Sequence, residues 1–212
     1  MMRVSSRWIS LVALCAIAML AACGGDGPQA DLDAAKAALD GAKAAGAETY
    51  ASSELSAAQS AYGTAKGAFD EEAGKMFKDW EPIASQISDA KAKADRAKIS
   101  ASSAKSQAES GANGALAAAA AAVSGAREAL DAAPAGKGTE GDIEALGVSL
   151  DAADADLSAA RSASAREDFA AASSKAASAR TKADAVNMGV AGAVAKYEEL
   201  VEKNTPWYMR GS

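Results

Sequence analysis

Groups able to do covalent or acid–base chemistry are few in this chain. Its 212 residues include two cysteines and no histidine. Without histidine there is no imidazole metal ligand, no Ser-His-Asp triad and no use of the commonest general base. Carboxylates are plentiful, and Asp151, Asp154 and Asp156 gather within one short stretch. They lack the Asp-x-Asp-x-Asp-Gly loop and distal Glu of a calcium site, and their spacing fits a solvated helix face. No glycine-rich phosphate loop follows a strand pattern. No catalytic residue and no metal ligand is assigned, and an enzyme is not expected. What remains is Cys15, Cys23 and two aromatic groups. One is Phe69, Met76, Phe77 and Trp80; the other is the tail Pro206-Trp207-Tyr208-Met209-Arg210.

Cys23 closes a segment that differs from the rest of the chain. Arg3 and Arg7 are the only charged side chains before Asp26, and Trp8–Ala22 is an uncharged run of fifteen residues. A bilayer-spanning helix needs ~20 apolar residues. A basic start, a short apolar run and small residues at its end read as a secretory signal peptide. Within it, Leu20-Ala21-Ala22-Cys23 resembles the bacterial lipobox. That resemblance implies recognition of Leu20, Ala21 and Ala22 by signal peptidase II, with Cys23 as the first mature residue. It further implies a diacylglyceryl group and an N-acyl chain on Cys23, with no other cofactor. Cys15 leaves with the signal peptide, so the mature chain forms no internal disulfide and no cysteine metal site. Two or more acyl chains, at ~0.8 kcal/mol per buried methylene, hold a protein stably on a membrane. By resemblance to enterobacterial-type sorting, Gly24 in place of Asp implies the periplasmic face of the outer membrane. The inner membrane and the cell surface are the alternatives.

The elements beyond Cys23 follow from composition. Alanine accounts for 61 residues, and it has the highest helix propensity but buries little apolar surface per residue. The expected fold is all-α: an elongated antiparallel helical hairpin or bundle, coiled-coil-like, with alanine-rich seams. The formal charge of −6 becomes −8 once Arg3 and Arg7 are removed, which speaks against nucleic acid as a partner.

Residues 1–22 are thus read as signal peptide, 23–30 as lipidated Cys and tether, 31–203 as one helical domain and 204–212 as a tail. Helices are expected at about 31–45, 53–80, 83–132 and 142–203, the last two spanning roughly 75 and 90 Å. Ser52 or Ser53 is expected to cap the second helix and Asp142 the fourth. The apolar stripe of the third runs Ile83, Ile87, Ala90, Ala94, Ala97, Ala101, Ala104, Ala108, Gly111 and on at three-four spacing to Ala132. The stripe of the fourth slips phase near "RSASARED". A hairpin turn at Pro82 would set Glu71 and Glu72 opposite Lys91 and Lys93.

"AAGAETYASSELSAAQSAYGTAKGAF" resembles an alanine-rich domain-of-unknown-function family of bacterial envelope lipoproteins, whose phrase is Tyr-Ala-Pro-x-Glu-Leu. Tyr50, Ala51, Glu54 and Leu55 match, and Ser52 replaces the proline. The anchor-plus-helix arrangement is loosely similar to that of murein lipoprotein, whose terminal lysine is replaced here by "NTPWYMRGS". Covalent attachment to peptidoglycan is therefore not expected.

The expected role is structural: an envelope lipoprotein acting as a periplasmic scaffold or spacer. The alternative is a binding module, either a surface-exposed adhesin-like coil or an accessory subunit of an envelope transport complex. Expected partners are the membrane through the lipid, envelope proteins or peptidoglycan held non-covalently, and a second copy through the alanine-rich helices. Phe77, Trp80, Trp207 and Tyr208 are the candidate docking residues. The competing reading of the first aromatic group is a hydrophobic plug closing the bundle end.

Overall fold

The computed structural model describes residues 27–134, 136 and 138–206. Among the described residues six helices form: α1 (Gln29–Ala44), α2 (Ala47–Tyr50), α3 (Ser52–Ala73), α4 (Glu81–Ala132), α5 (Glu140–Ala165) and α6 (Phe169–Asn204). No strand occurs among the described residues. The protein is an all-α helical bundle protein. Where one helical domain is expected over 31–203, the chain divides into two compact units, with the boundary after Lys105 inside α4.

In the first unit, Leu32 and Ala35 of α1 pack with Ala65 and Phe69 of α3 and with Ile83 and Ile87 of α4. Further along, Leu39 and Ala42 meet Leu55 and Ala58, together with Ala94, Ala97 and Ala101. Ascending numbers in α1 and α4 pair with descending numbers in α3, so α3 runs antiparallel to the other two. Each buried Leu, Ile or Phe stabilises by about 1.5–3 kcal/mol; the alanines between them let the helices close up. Gly46 ends α1 in the left-handed region (φ +84), its N–H donating to the Lys43 carbonyl at 2.9 Å. Neither Ser52 nor Ser53 caps α3. The cap position is Ala51, without a side-chain bond, because burial of Ala47, Ala51 and Leu55 fixes how the chain enters the helix.

The second unit packs α4 from Ala119 onward against α5 and α6, around Val123, Leu150, Leu157, Val186 and Val190. Arg127 pairs with Asp154 while Leu130 lies by Gly147, and Lys196 pairs with Asp142 while Lys182 pairs with Asp156, so α5 is antiparallel to both neighbours. The single helix expected over 142–203 is two. The chain breaks at 166–168, inside the "RSASARED" phase slip, where Glu167 adopts φ 60. Asp142 is not a cap either. Helix α5 begins at Glu140 behind the buried Thr139, whose hydroxyl donates to the Gly136 carbonyl at 2.8 Å.

The stripe of α4 holds as far as Ala101 and then changes phase. Gly111 is exposed, and the buried positions are Ala112, Ala119, Val123 and Ala126. A strict seven-residue repeat drifts by ~20° per heptad on a straight helix. The change of phase falls between Ala101, in the first unit, and Ala112, in the second.

Candidate functional site

The first aromatic group lies where α3 gives way to α4. The expected helix to Trp80 stops at Ala73, and residues 74–80 form a connection ahead of Pro82, which sits in the first turn of α4. There its missing N–H costs nothing, since first-turn donors have no helical acceptor. The connection is organised by Glu72, only 6% exposed. One carboxylate oxygen accepts from the Lys75 ammonium at 2.7 Å, the other from the Asp79 backbone N–H at 2.6 Å. These two bonds, the lysine's first, hold the carboxyl below the usual glutamate range against the opposing effect of desolvation. Lys91 and Lys93 do not meet Glu71 and Glu72; each pairs within α4, with Asp95 and Asp89.

The four aromatic and sulfur side chains separate into two pairs. Phe69 and Trp80 stack inward, ring centroids 5.0 Å apart and tilted by 32°. They meet the cluster of Leu32, Ala65, Ile83 and Ile87 and close this end of the bundle. The Lys78 ammonium lies 5.9 Å from the Trp80 ring centroid, within range of a cation–π attraction. Gly27 lies directly on the indole, since a Cβ there would fall 2.7 Å from Trp80 Cε2 and Cζ2. Met76 and Phe77 face outward and are 91% and 88% exposed. Trp80 thus belongs to the apolar end of the first unit, whereas Phe77 is left exposed. Leu20, Ala21, Ala22, Cys23, Trp207 and Tyr208 lie outside the described residues.

No family model, curated protein or solved structure matches the chain. The envelope-lipoprotein resemblance of residues 44–69 rests on its own residues.

Asp156, grouped in the sequence with Asp151 and Asp154 as a solvated helix face, is instead largely covered and forms a second polar centre. Asp156 of α5 accepts from Lys182 (2.6 Å), Ser178 (2.7 Å) and Lys175 (3.3 Å), all on α6. The bonds from Lys182 and then Ser178 hold its carboxyl far below the usual aspartate range. This carboxylate accepts from three protein donors, two of them ammonium groups, and its chemistry is that of a helix-to-helix tie. No group of metal-ligating side chains occurs among the described residues. A shallow groove between α5 and α6, lined by Asp142, Leu146, Ser149, Gly189 and Gly192, brings no second acid to Asp142. No helix among the described residues is long and apolar enough to cross a membrane.

Proposed function

We propose that this chain is a lipid-anchored envelope protein, held through Cys23 on the periplasmic face of the outer membrane, where its helical body serves as a scaffold or spacer rather than as an enzyme. The observation that carries the reading is the junction Leu20-Ala21-Ala22-Cys23, placed after Arg3, Arg7 and an uncharged run of fifteen residues. The start of α1 at Gln29, six residues past Cys23, supports it by setting a water-facing body immediately behind the anchor. The i,i+4 ion pairs Lys36–Asp40, Lys66–Asp70 and Lys203–Glu199 give that body a hydrated surface. A second reading, a partner-docking module, draws on the exposed Met76 and Phe77.

Metabolic labelling with radioactive fatty acid tests the anchor. Wild type incorporates label and fractionates with membranes; Cys23→Ser loses the label and accumulates unprocessed. Equal labelling of both proteins, or an unlabelled wild type, rejects the anchor. Protease added to intact cells separates the faces of the membrane: a periplasmic protein is protected, and a surface coil is cut.

A further inference from the structure

Chain connectivity ties Cys23, the anchor residue of the reading above, to the end of the first unit that carries the exposed apolar pair. Cys23 precedes Gly27 by four residues, a span of at most ~14 Å for any chain conformation. Gly27 in turn rests on the indole of Trp80, three residues from Phe77. A membrane that holds Cys23 therefore lies within reach of the 74–80 connection. Met76 and Phe77 are adjacent in sequence and almost fully solvated. Other large exposed apolar residues, Ile99, Val148 and Met188, lie within helices α4, α5 and α6 and not in a connection.

We propose that Met76 and Phe77 form a second membrane contact, inserting into the bilayer interface beside the acylated Cys23. The proposal rests on the anchor reading above and adds the surface that meets the lipid. Headgroup charge is not its source. Residues 70–81 contain Asp70, Glu71, Glu72, Asp79 and Glu81 against Lys75 and Lys78, and Lys75 is already bonded to Glu72. The surplus of acid disfavours anionic lipid, so the contact is apolar. Two side chains alone hold a protein weakly; the tether makes their insertion intramolecular and raises its effective concentration. Trp80, packed on Phe69, serves as the post that orients the loop, with Glu72 bracing it from inside.

The acylated mature chain has no free thiol, so Phe77→Cys in the full-length protein can be labelled at one place with an environment-sensitive fluorophore. Ser53→Cys, exposed at the far end of α3 and ~30 Å away along that helix, is the control. Both lipidated proteins are placed on phosphatidylethanolamine–phosphatidylcholine vesicles containing spin-labelled lipid, with matched helical circular dichroism. The probe at 77 shifts to the blue and is quenched severalfold more than the probe at 53. Adding Met76→Ser reduces that quenching, and raising salt does not. Equal quenching at 77 and 53 in a fatty-acid-labelled protein overturns the loop contact and leaves the anchor standing. A wild type without fatty acid overturns both. A probe at 77 that becomes shielded as concentration rises, in mature Cys23→Ser chain produced without residues 1–22 and so without Cys15, makes a second copy the occupant, and this also overturns the membrane contact.

Discussion

Two of the connections that reverse the chain between antiparallel helices, α3 to α4 and α5 to α6, do so by different means. Between α5 and α6 the reversal takes residues 166–168. Glu167 N–H donates to Ser164 and Asp168 N–H to Ala163, at 2.9 and 3.0 Å, closing the last turn of α5. The Asp168 carboxylate then accepts from the Ala171 N–H and opens α6, and Phe169 is buried at once. This geometry satisfies the carbonyls at the end of α5 and a donor at the start of α6 with adjacent residues. Between α3 and α4 the chain uses residues 74–80, held by a carboxylate behind the loop, and turns Met76 and Phe77 to solvent. Three residues suffice to reverse the chain. The longer connection has residues beyond that need, and they display apolar surface.

Two phenylalanines give the sharpest test of the contrast. Phe169 follows the tight connection and is 5% exposed. Phe169→Ala should destabilise by about 3–5 kcal/mol through lost burial and a residual cavity. Denaturant unfolding followed by circular dichroism measures the loss, with separate transitions fitted if the two units do not unfold together. A cost below about 1 kcal/mol would mean that hydrogen bonds alone hold the tight turn.

The next effect compares the two carboxylates. Glu72 binds a loop to its own helix end, whereas Asp156 ties α5 to α6 through three donors. Asp156→Ala should cost about 2 kcal/mol, the scale for hydrogen bonds to a charged group. The carboxyl pKa is lowered in the folded protein, so its stabilisation is fully present above the unfolded value of about 3.9. It is lost as pH falls through the folded pKa. Acid titration of unfolding should show the wild type converging toward Asp156→Ala below that unfolded value. A constant difference between the two down to the lowest pH would remove the charge from the explanation.

The tight turn was partly visible in the residues. "RSASARED" marks a phase slip, but a slip in an alanine-rich stripe does not say whether a helix rotates or ends. Glu167 in the left-handed region gives no compositional warning, because that position normally selects glycine. The α4 stripe shows the same weakness. In "GALAAAAAAVSGAREAL" an alanine lies on nearly every face, so three-four spacing can be traced along several. Leu116, Val123 and Leu130, seven residues apart, carry the larger apolar surface, and the core follows them. Counting large side chains ahead of alanines would have found that phase. Trp80 and Phe77 look equivalent by spacing. What separates them is Gly74 ending α3 and the buried Glu72, and neither has a signature in hydropathy.

Asp168→Ala probes the cap alone. It removes one side-chain acceptor from the first turn of α6 and leaves the backbone closure of α5 in place. A loss of about 1 kcal/mol is expected, against none for Ser53→Ala, since the start of α3 has no side-chain cap. Equal losses at the two sites would show that residue type near a helix start, rather than the observed bond, sets the cost.

Phe77→Ser should have the smallest effect on stability, within about 0.5 kcal/mol of wild type. Its ring is 88% exposed, so the folded state shields little apolar area that the unfolded chain would present to water. The polar frame of the loop, Glu72 with Lys75 and the Asp79 N–H, does not include residue 77. A solvated phenylalanine that folding does not use is free to bury its surface elsewhere. The same substitution should therefore leave the denaturation midpoint unchanged while weakening retention of the loop at a lipid surface. If Phe77→Ser instead cost as much as Phe169→Ala, both connections would be ordinary parts of the core, and the contrast between them would fall.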